Sequence, residues 1–181
     1  KRAGVGFADC ITHNVESEKE ELRKIETPNV KTIEGLKHKL GVEPTRMCKA
    51  VIYQENVSDD YVVVFIRGDL EVNETKLRNY LKTEVHPATG VNEDCGIVAG
   101  FTGPVGFKAK AKVVFDRSLK NIESFVCGAN EKDFHYAGMN IERDVGNVVY
   151  VDVAKAYNGG VCPVCGKPTI TLKRGVAVGN I

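Results

Sequence analysis

Tyr61 to Ile66, reading YVVVFI, is an unbroken run of β-branched and aromatic residues, and it constrains the fold more than any other stretch. It has the signature of a strand buried on both faces, and Arg67-Gly68-Asp69 ends it. We expect it to be the central strand of a sheet. The chain can cover such a strand: at 181 residues and 43% hydrophobic it is long enough for one ordinary globular domain with short flanking pieces.

Around that strand the pattern alternates. Glu16 to Lys24 is almost wholly charged and is closed by Pro28, which suits a solvated helix or linker entering the domain. Thr32 is placed to cap a helix carrying Ile33, Leu36 and Leu40 at helical spacing, and Gly41 supplies the stop. Cys48 to Tyr53 reads as a strand with Cys48, Ala50 and Ile52 on one face and Lys49 and Val51 on the other. A lysine in that position either snorkels to the surface or serves a site. Asn73 is placed to cap a second helix, with Leu77, Tyr80 and Leu81 inward and Lys76, Arg78 and Lys82 in water. Lys112 to Phe115 reads as a strand delivering Asp116, and Asn147 to Val151 as a last core strand. Asp116-Arg117-Ser118 also fits a plain helix start capped by the aspartate or the serine.

Two stretches break the regular pattern. Gly90 to Gly106 is glycine-rich, and Gly100-Phe101-Thr102-Gly103-Pro104 within it is too restricted for regular structure. Such a loop is either a turn or a set of backbone N–H groups free to meet an anion. Phe125 to Asn140, FVCGANEKDFHYAGMN, shows neither helical nor strand periodicity, so its residues read as placed for contact. Cys127-Gly128-Ala129-Asn130 has the composition of a sharp bend, and His135 beyond it either projects into a cleft or belongs to a surface loop.

Alternating helices and strands with short connections imply an α/β (α+β mixed) fold on a mixed sheet, not a doubly wound one. A net charge of +1 gives no global electrostatic case for a nucleic-acid partner. No apolar run approaches the length of a membrane span and no signal-peptide core is visible, so a cytoplasmic protein with no membrane partner is expected. Walker, dinucleotide, nucleophile-elbow and metalloprotease patterns are absent from the sequence.

VKTIEGL (Val30 to Leu36), the Lys49 strand, VFIRGDLEVNETKL (Val64 to Leu77), GFTGPVGF (Gly100 to Phe107), VFDRS (Val114 to Ser118) and FVCGANEKDFHYAGMN together resemble the editing insertion of bacterial-type prolyl-tRNA synthetase. They are also similar to the freestanding deacylases of that YbaK-like superfamily. The resemblance runs from about Thr27 to Asp152 in consistent order. GFADCITHNVESEKEE (Gly6 to Glu21) resembles the segment leading into the insertion. CPVCG (Cys162 to Gly166) followed by LKRGVAVGNI (Leu172 to Ile181) resembles the return to a class II catalytic domain. The implied organisation is a leading flank at 1–26, an editing domain at 27–158 and a return flank at 159–181. The implied architecture is a mostly antiparallel mixed sheet or partial barrel with flanking helices.

The same resemblance implies hydrolysis of alanine wrongly attached to tRNA for proline, with that tRNA and the rest of the synthetase as partners. Alanine fits any site that accepts proline, so a second, smaller site completes the selection. In this reading Lys49 anchors the terminal adenosine and its phosphate, and Gly100 and Pro104 mark the GxxxP loop that holds the aminoacyl group. Gly103, Gly128 and Asn130 stand beside the substrate, His135 bounds the pocket, and Asp116 is a carboxylate tied to the reaction. The sequence offers no Ser-His-Asp or Cys-His signature, so water attack on the ester is expected, with backbone amides stabilising the oxyanion. Cys127 beside a glycine turn reads as packing. An insertion that binds tRNA or serves structure without hydrolysis is the alternative.

Editing implies no cofactor, and ATP belongs only to the parent synthetase. Cys162-x-x-Cys165 has the spacing of half a structural zinc site, and Cys10-x-x-His13 in the opposite flank would supply the other half. The competing reading is a glycine-containing knuckle with free thiols.

Overall fold

The computed structural model describes residues 8–91 and 93–173. In chain order it contains β1 (Arg23–Glu26), α1 (Ile33–Leu40), β2 (Met47–Glu55), β3 (Tyr61–Arg67), α2 (Glu74–Leu81) and β4 (Val85–Pro87). There follow β5 (Ala111–Asp116), β6 (Phe125–Gly128), β7 (Phe134–Met139), α3 (Ile141–Asp144) and β8 (Tyr150–Val151). The strands form one mixed sheet in the order β1-β7-β6-β2-β3-β5-β8, with β4 pairing β2 off that path. β3 is central as expected: Val62 to Ile66 are 0% exposed, with β2 antiparallel on one side and β5 parallel on the other.

One irregularity in this sheet positions the site. On the edge of β2 away from β3, the parallel ladder with β6 pairs only Met47 and Cys48. The antiparallel ladder with β4 begins at Tyr53. Between them no strand among the described residues lies beside Lys49 to Ile52, and the sheet is notched there.

Local signals placed the helices. Thr32 Oγ1 accepts from Gly35 N at 3.0 Å, and Gly41 closes α1 in the left-handed region at φ 66°. Asn73 caps α2 by accepting from Thr75 N and Lys76 N. On α2 the inward stripe differs from expectation, because Lys76 is buried and Tyr80 is 49% exposed. Lys76 Nζ donates to both carboxylate oxygens of Asp152 and to Ala154 O, partners supplied by the chain after β8. A fully hydrogen-bonded buried cation is tolerated where an unpaired one is not.

Three other expectations are corrected. Glu16 to Lys24, expected as a solvated helix or a linker, forms no helix: it leads without regular structure into β1, which pairs the free edge of β7 through four residues from Arg23 to Glu26. Part of the expected leading flank therefore belongs to the sheet. Phe125 to Asn140 is a hairpin, β6 and β7, with a register shift between Phe125 and Cys127 that hides the period of two. Its bend lies at Ala129 to Asp133, two residues beyond the expected start at Cys127, with Asn130 and Asp133 at positive φ. The last strand is only Tyr150–Val151, and Val149 is 75% exposed.

The two flanks meet through an antiparallel bridge between Ile11 and Val161. The outer parts of the expected leading and return segments, 1–7 and 174–181, lie outside the described residues. Among the described residues no helix is long and apolar enough to cross a membrane.

Candidate functional site

The notch in β2 opens into a cleft of about 620 Å³, counting its open mouth. Its floor is β2 (Cys48, Lys49, Ala50, Ile52) and β6 (Val126, Cys127, Gly128), its rim the start of α1 (Lys31, Thr32, Ile33, Leu36), and its far wall Gly100, Thr102 and His135. Lys49, Gly100, Gly128 and His135, up to 86 positions apart between Lys49 and His135, are thus brought together. Lys31, Thr32 and Leu36 also line the cleft, although the sequence marked Thr32 only as a cap and Leu36 only as a helix-stripe residue. Their signal was present, because a capped helix start is a place where backbone N–H groups and side chains face outward.

His135 is 2% exposed, and Thr27 Oγ1 lies 2.5 Å from its Nδ1. The Phe101 ring lies against it, with centroids 5.3 Å apart. Burial pushes its pKa down to about 4, so the ring is neutral at pH 7. Thr27 also donates its own N–H to Asp133 O at 2.7 Å, so one residue fixes both the hairpin bend and the histidine.

Lys49 is half-buried, and its Nζ donates to Gly68 O at 3.1 Å. Burial lowers its pKa, while the carboxylates of Glu71 and Asp69 act in the opposite direction. Among the described residues lining the cleft there are two lysines and no carboxylate, which favours an anionic ligand.

The glycine-rich loop is held by Asn130. Its Oδ1 accepts from Gly103 N at 3.0 Å, and its Nδ2 donates to Gly103 O and Val105 O, each at 2.9 Å. Gly103 and Gly128 interlock: a Cβ on Gly103 would lie 1.8 Å from Gly128 O, and one on Gly128 would lie 2.2 Å from Phe101 O. Side chains at either position would force the loop off β6. The expectation that the loop's amides are free is corrected at Gly103, whose N–H is already bonded. Gly103, Pro104 and Asn130 do not line the cleft; they fix the wall that does.

Asp116 is not brought to the cleft. It is 1% exposed, and its carboxylate accepts from Ser118 N and from Val153 N, each at 2.9 Å. It caps the turn after β5 and ties down the chain after β8. Cys127 does line the cleft, but burial raises its pKa well above the ordinary thiol value, as it does for Cys48. Neither thiol is an activated nucleophile.

Cys10, His13, Cys162 and Cys165 are not gathered into one centre. Among the described residues no group of three or more His, Cys, Asp or Glu is placed to hold a metal ion. Cys10 is buried in the core and raised to about 11, chiefly by burial, while His13 Nε2 lies 3.3 Å from Gly159 O. Cys162 and Cys165 share an exposed turn closed by Gly166 N donating to Cys162 O.

The model of the aminoacyl-tRNA editing domain matches residues 27–142, the span holding every cleft residue named above. The chain belongs to the aminoacyl-tRNA editing domain family. This editing domain is 38% identical to a proline–tRNA ligase of Caldicellulosiruptor bescii over 99% of its own length and 31% of the ligase. It is 42% identical to the proline–tRNA ligase of Persephonella marina over 88% of its length and 28% of that protein. It therefore spans about a third of the length of the curated relatives it matches. Among solved structures, the hypothetical protein APE2540 superimposes with a TM-score of 0.63 at 22% identity, covering 75% of this chain and 92% of that one. A candidate trans-editing enzyme for prolyl tRNA synthetase gives 0.61 at 14% identity, covering 75% and 87%. At such identities these two show that the editing domain shares their fold.

Proposed function

We propose that this editing domain hydrolyses the ester of alanyl-tRNA for proline and is the editing insertion of a proline–tRNA ligase. The observation that carries the reading is the notched sheet edge, where a lysine, a neutral buried histidine and an interlocked glycine loop converge without an activated side-chain nucleophile. The identity to proline–tRNA ligases supports the choice of tRNA.

Lys49 holds the phosphate of the terminal nucleotide, and the aminoacyl group enters the cleft over β2 and β6. A water oxygen adds to the ester carbonyl carbon, and the carbonyl π electrons move to its oxygen. Collapse of that oxyanion breaks the bond to the ribose oxygen, which takes the proton released by the water. Alanine and uncharged tRNA leave. His135, rigid through Thr27 and Phe101, limits the side chain that fits.

Single-turnover deacylation of alanyl-tRNA for proline by the isolated chain tests this. Hydrolysis well above the uncatalysed rate, with prolyl-tRNA spared, is expected. Binding of the tRNA without hydrolysis would leave only a tRNA-binding insertion.

A further inference from the structure

Among the described residues, the notch leaves one rung of the sheet without a strand. Met47 O accepts from Gly68 N and Glu55 N donates to Asp60 O, so odd-numbered residues of β2 turn their backbone groups toward β3. Even-numbered residues turn theirs to the opposite edge. There Cys48 is served by β6, and Ile52 O accepts from Ala88 N at 3.0 Å. Ala50 lies between them, where the β6 ladder has ended and the β4 ladder has not begun. The next acceptor along β6 would be Gly128 O, but that carbonyl is turned to Gly103, close enough to forbid a Cβ there. Ala50 is partly exposed and lines the cleft.

We propose that the main chain of Ala50 anchors the substrate's α-aminoacyl group, its N–H donating to the ester carbonyl oxygen and its C=O accepting from the α-ammonium. An α-aminoacyl ester carries a donor and an acceptor flanking one Cα, the pattern a residue presents to its partner in an antiparallel rung. The ligand completes the ladder that β6 and β4 leave open. Because this contact ignores the side chain, it holds any aminoacyl group and leaves selection to the pocket wall. It also supplies an oxyanion donor at a site where Gly103 N–H is already committed to Asn130.

This inference rests on the proposed deacylation, and its test separates the two. Residue 50 is replaced by lactic acid through nonsense suppression, which exchanges the N–H for oxygen and keeps the methyl group. The same exchange at Tyr53, whose N–H faces β3 and whose preceding carbonyl accepts from Ala88 N, is the comparison. At 50 we expect single-turnover hydrolysis of alanyl-tRNA to fall roughly 10²–10³-fold, the effect of losing one oxyanion donor, with a smaller melting loss than at 53. At 53 we expect a lower melting temperature and a folded protein that still hydrolyses. An unchanged rate at 50 in a protein whose wild type is active overturns the inference alone, as does a melting loss at 50 equal to that at 53. An inactive wild type overturns the proposed function and the inference with it.

Discussion

Thr27 Oγ1 lies 2.5 Å from His135 Nδ1, 108 residues away, and both side chains are buried. The contact joins the start of the family match to β7. It holds a ring whose neutral form is enforced by burial.

That burial makes stability depend on pH. The pKa of His135 is about 4 in the folded chain, against 6.5 for the free side chain. Between those values the unfolded state binds the extra proton, so stability falls as pH drops from 6.5 toward 4. The loss from this residue is about 3 kcal/mol at the acid end. Urea unfolding at pH 7 and pH 5 should show the fall in wild type and a smaller one in His135→Gln. Thr27→Val should cost about 1–2 kcal/mol at pH 7 by leaving Nδ1 without its partner.

If His135 sets the size limit of the pocket, His135→Ala enlarges it. The variant should then hydrolyse prolyl-tRNA for proline, because space alone discriminates by only about 1–3 kcal/mol per methylene. Loss of alanyl-tRNA activity with no gain on prolyl-tRNA would assign the ring another task.

Lys49 donates to one carbonyl in the free protein, so the fold asks little of it. Lys49→Ala should lower alanyl-tRNA hydrolysis by about 10- to 100-fold, the range expected for losing a charged hydrogen bond to phosphate. Its melting temperature should stay close to wild type. Lys49→Arg should recover part of the rate, since the longer planar guanidinium meets the phosphate differently. Equal rates in wild type and Lys49→Ala would return this lysine to a snorkelling role.

Asn130 makes three hydrogen bonds to Gly103 and Val105 at φ 54°. Asn130→Gly tolerates that backbone angle and removes only the bonds, so it isolates the clamp. We expect a loss on the order of 2–3 kcal/mol and a slower reaction through a loosened wall. Chemical denaturation with deacylation at matched folded fraction would measure both. A fully stable Asn130→Gly would show that the interlocked glycines hold the loop unaided.

Asp116 should behave as a structural residue. Asp116→Asn turns an amide N–H2 toward one of two backbone N–H donors, which should cost about 2 kcal/mol. The rate of the folded fraction should not change. A rate defect at full stability would restore the carboxylate to the reaction.

Residue order alone fixes the local features. The Thr32 and Asn73 caps, the Gly41 stop and the YVVVFI strand lie within a few residues of the backbone they control, so a short window contains the whole cause. The resemblance carried Lys49, Gly100, Gly128 and His135 into one site, and the fold gathers these four. Roles that depend on a distant partner emerge from the fold. Lys76 is buried because Asp152 and Ala154 come to it, Asp116 is consumed by Ser118 and Val153, and Asn130 works on a loop 27 positions earlier. The cleft itself follows from strand order. β6 leaves β2 after Cys48 and β4 arrives at Tyr53, and the spacing of residues along the chain does not encode which strand ends beside which.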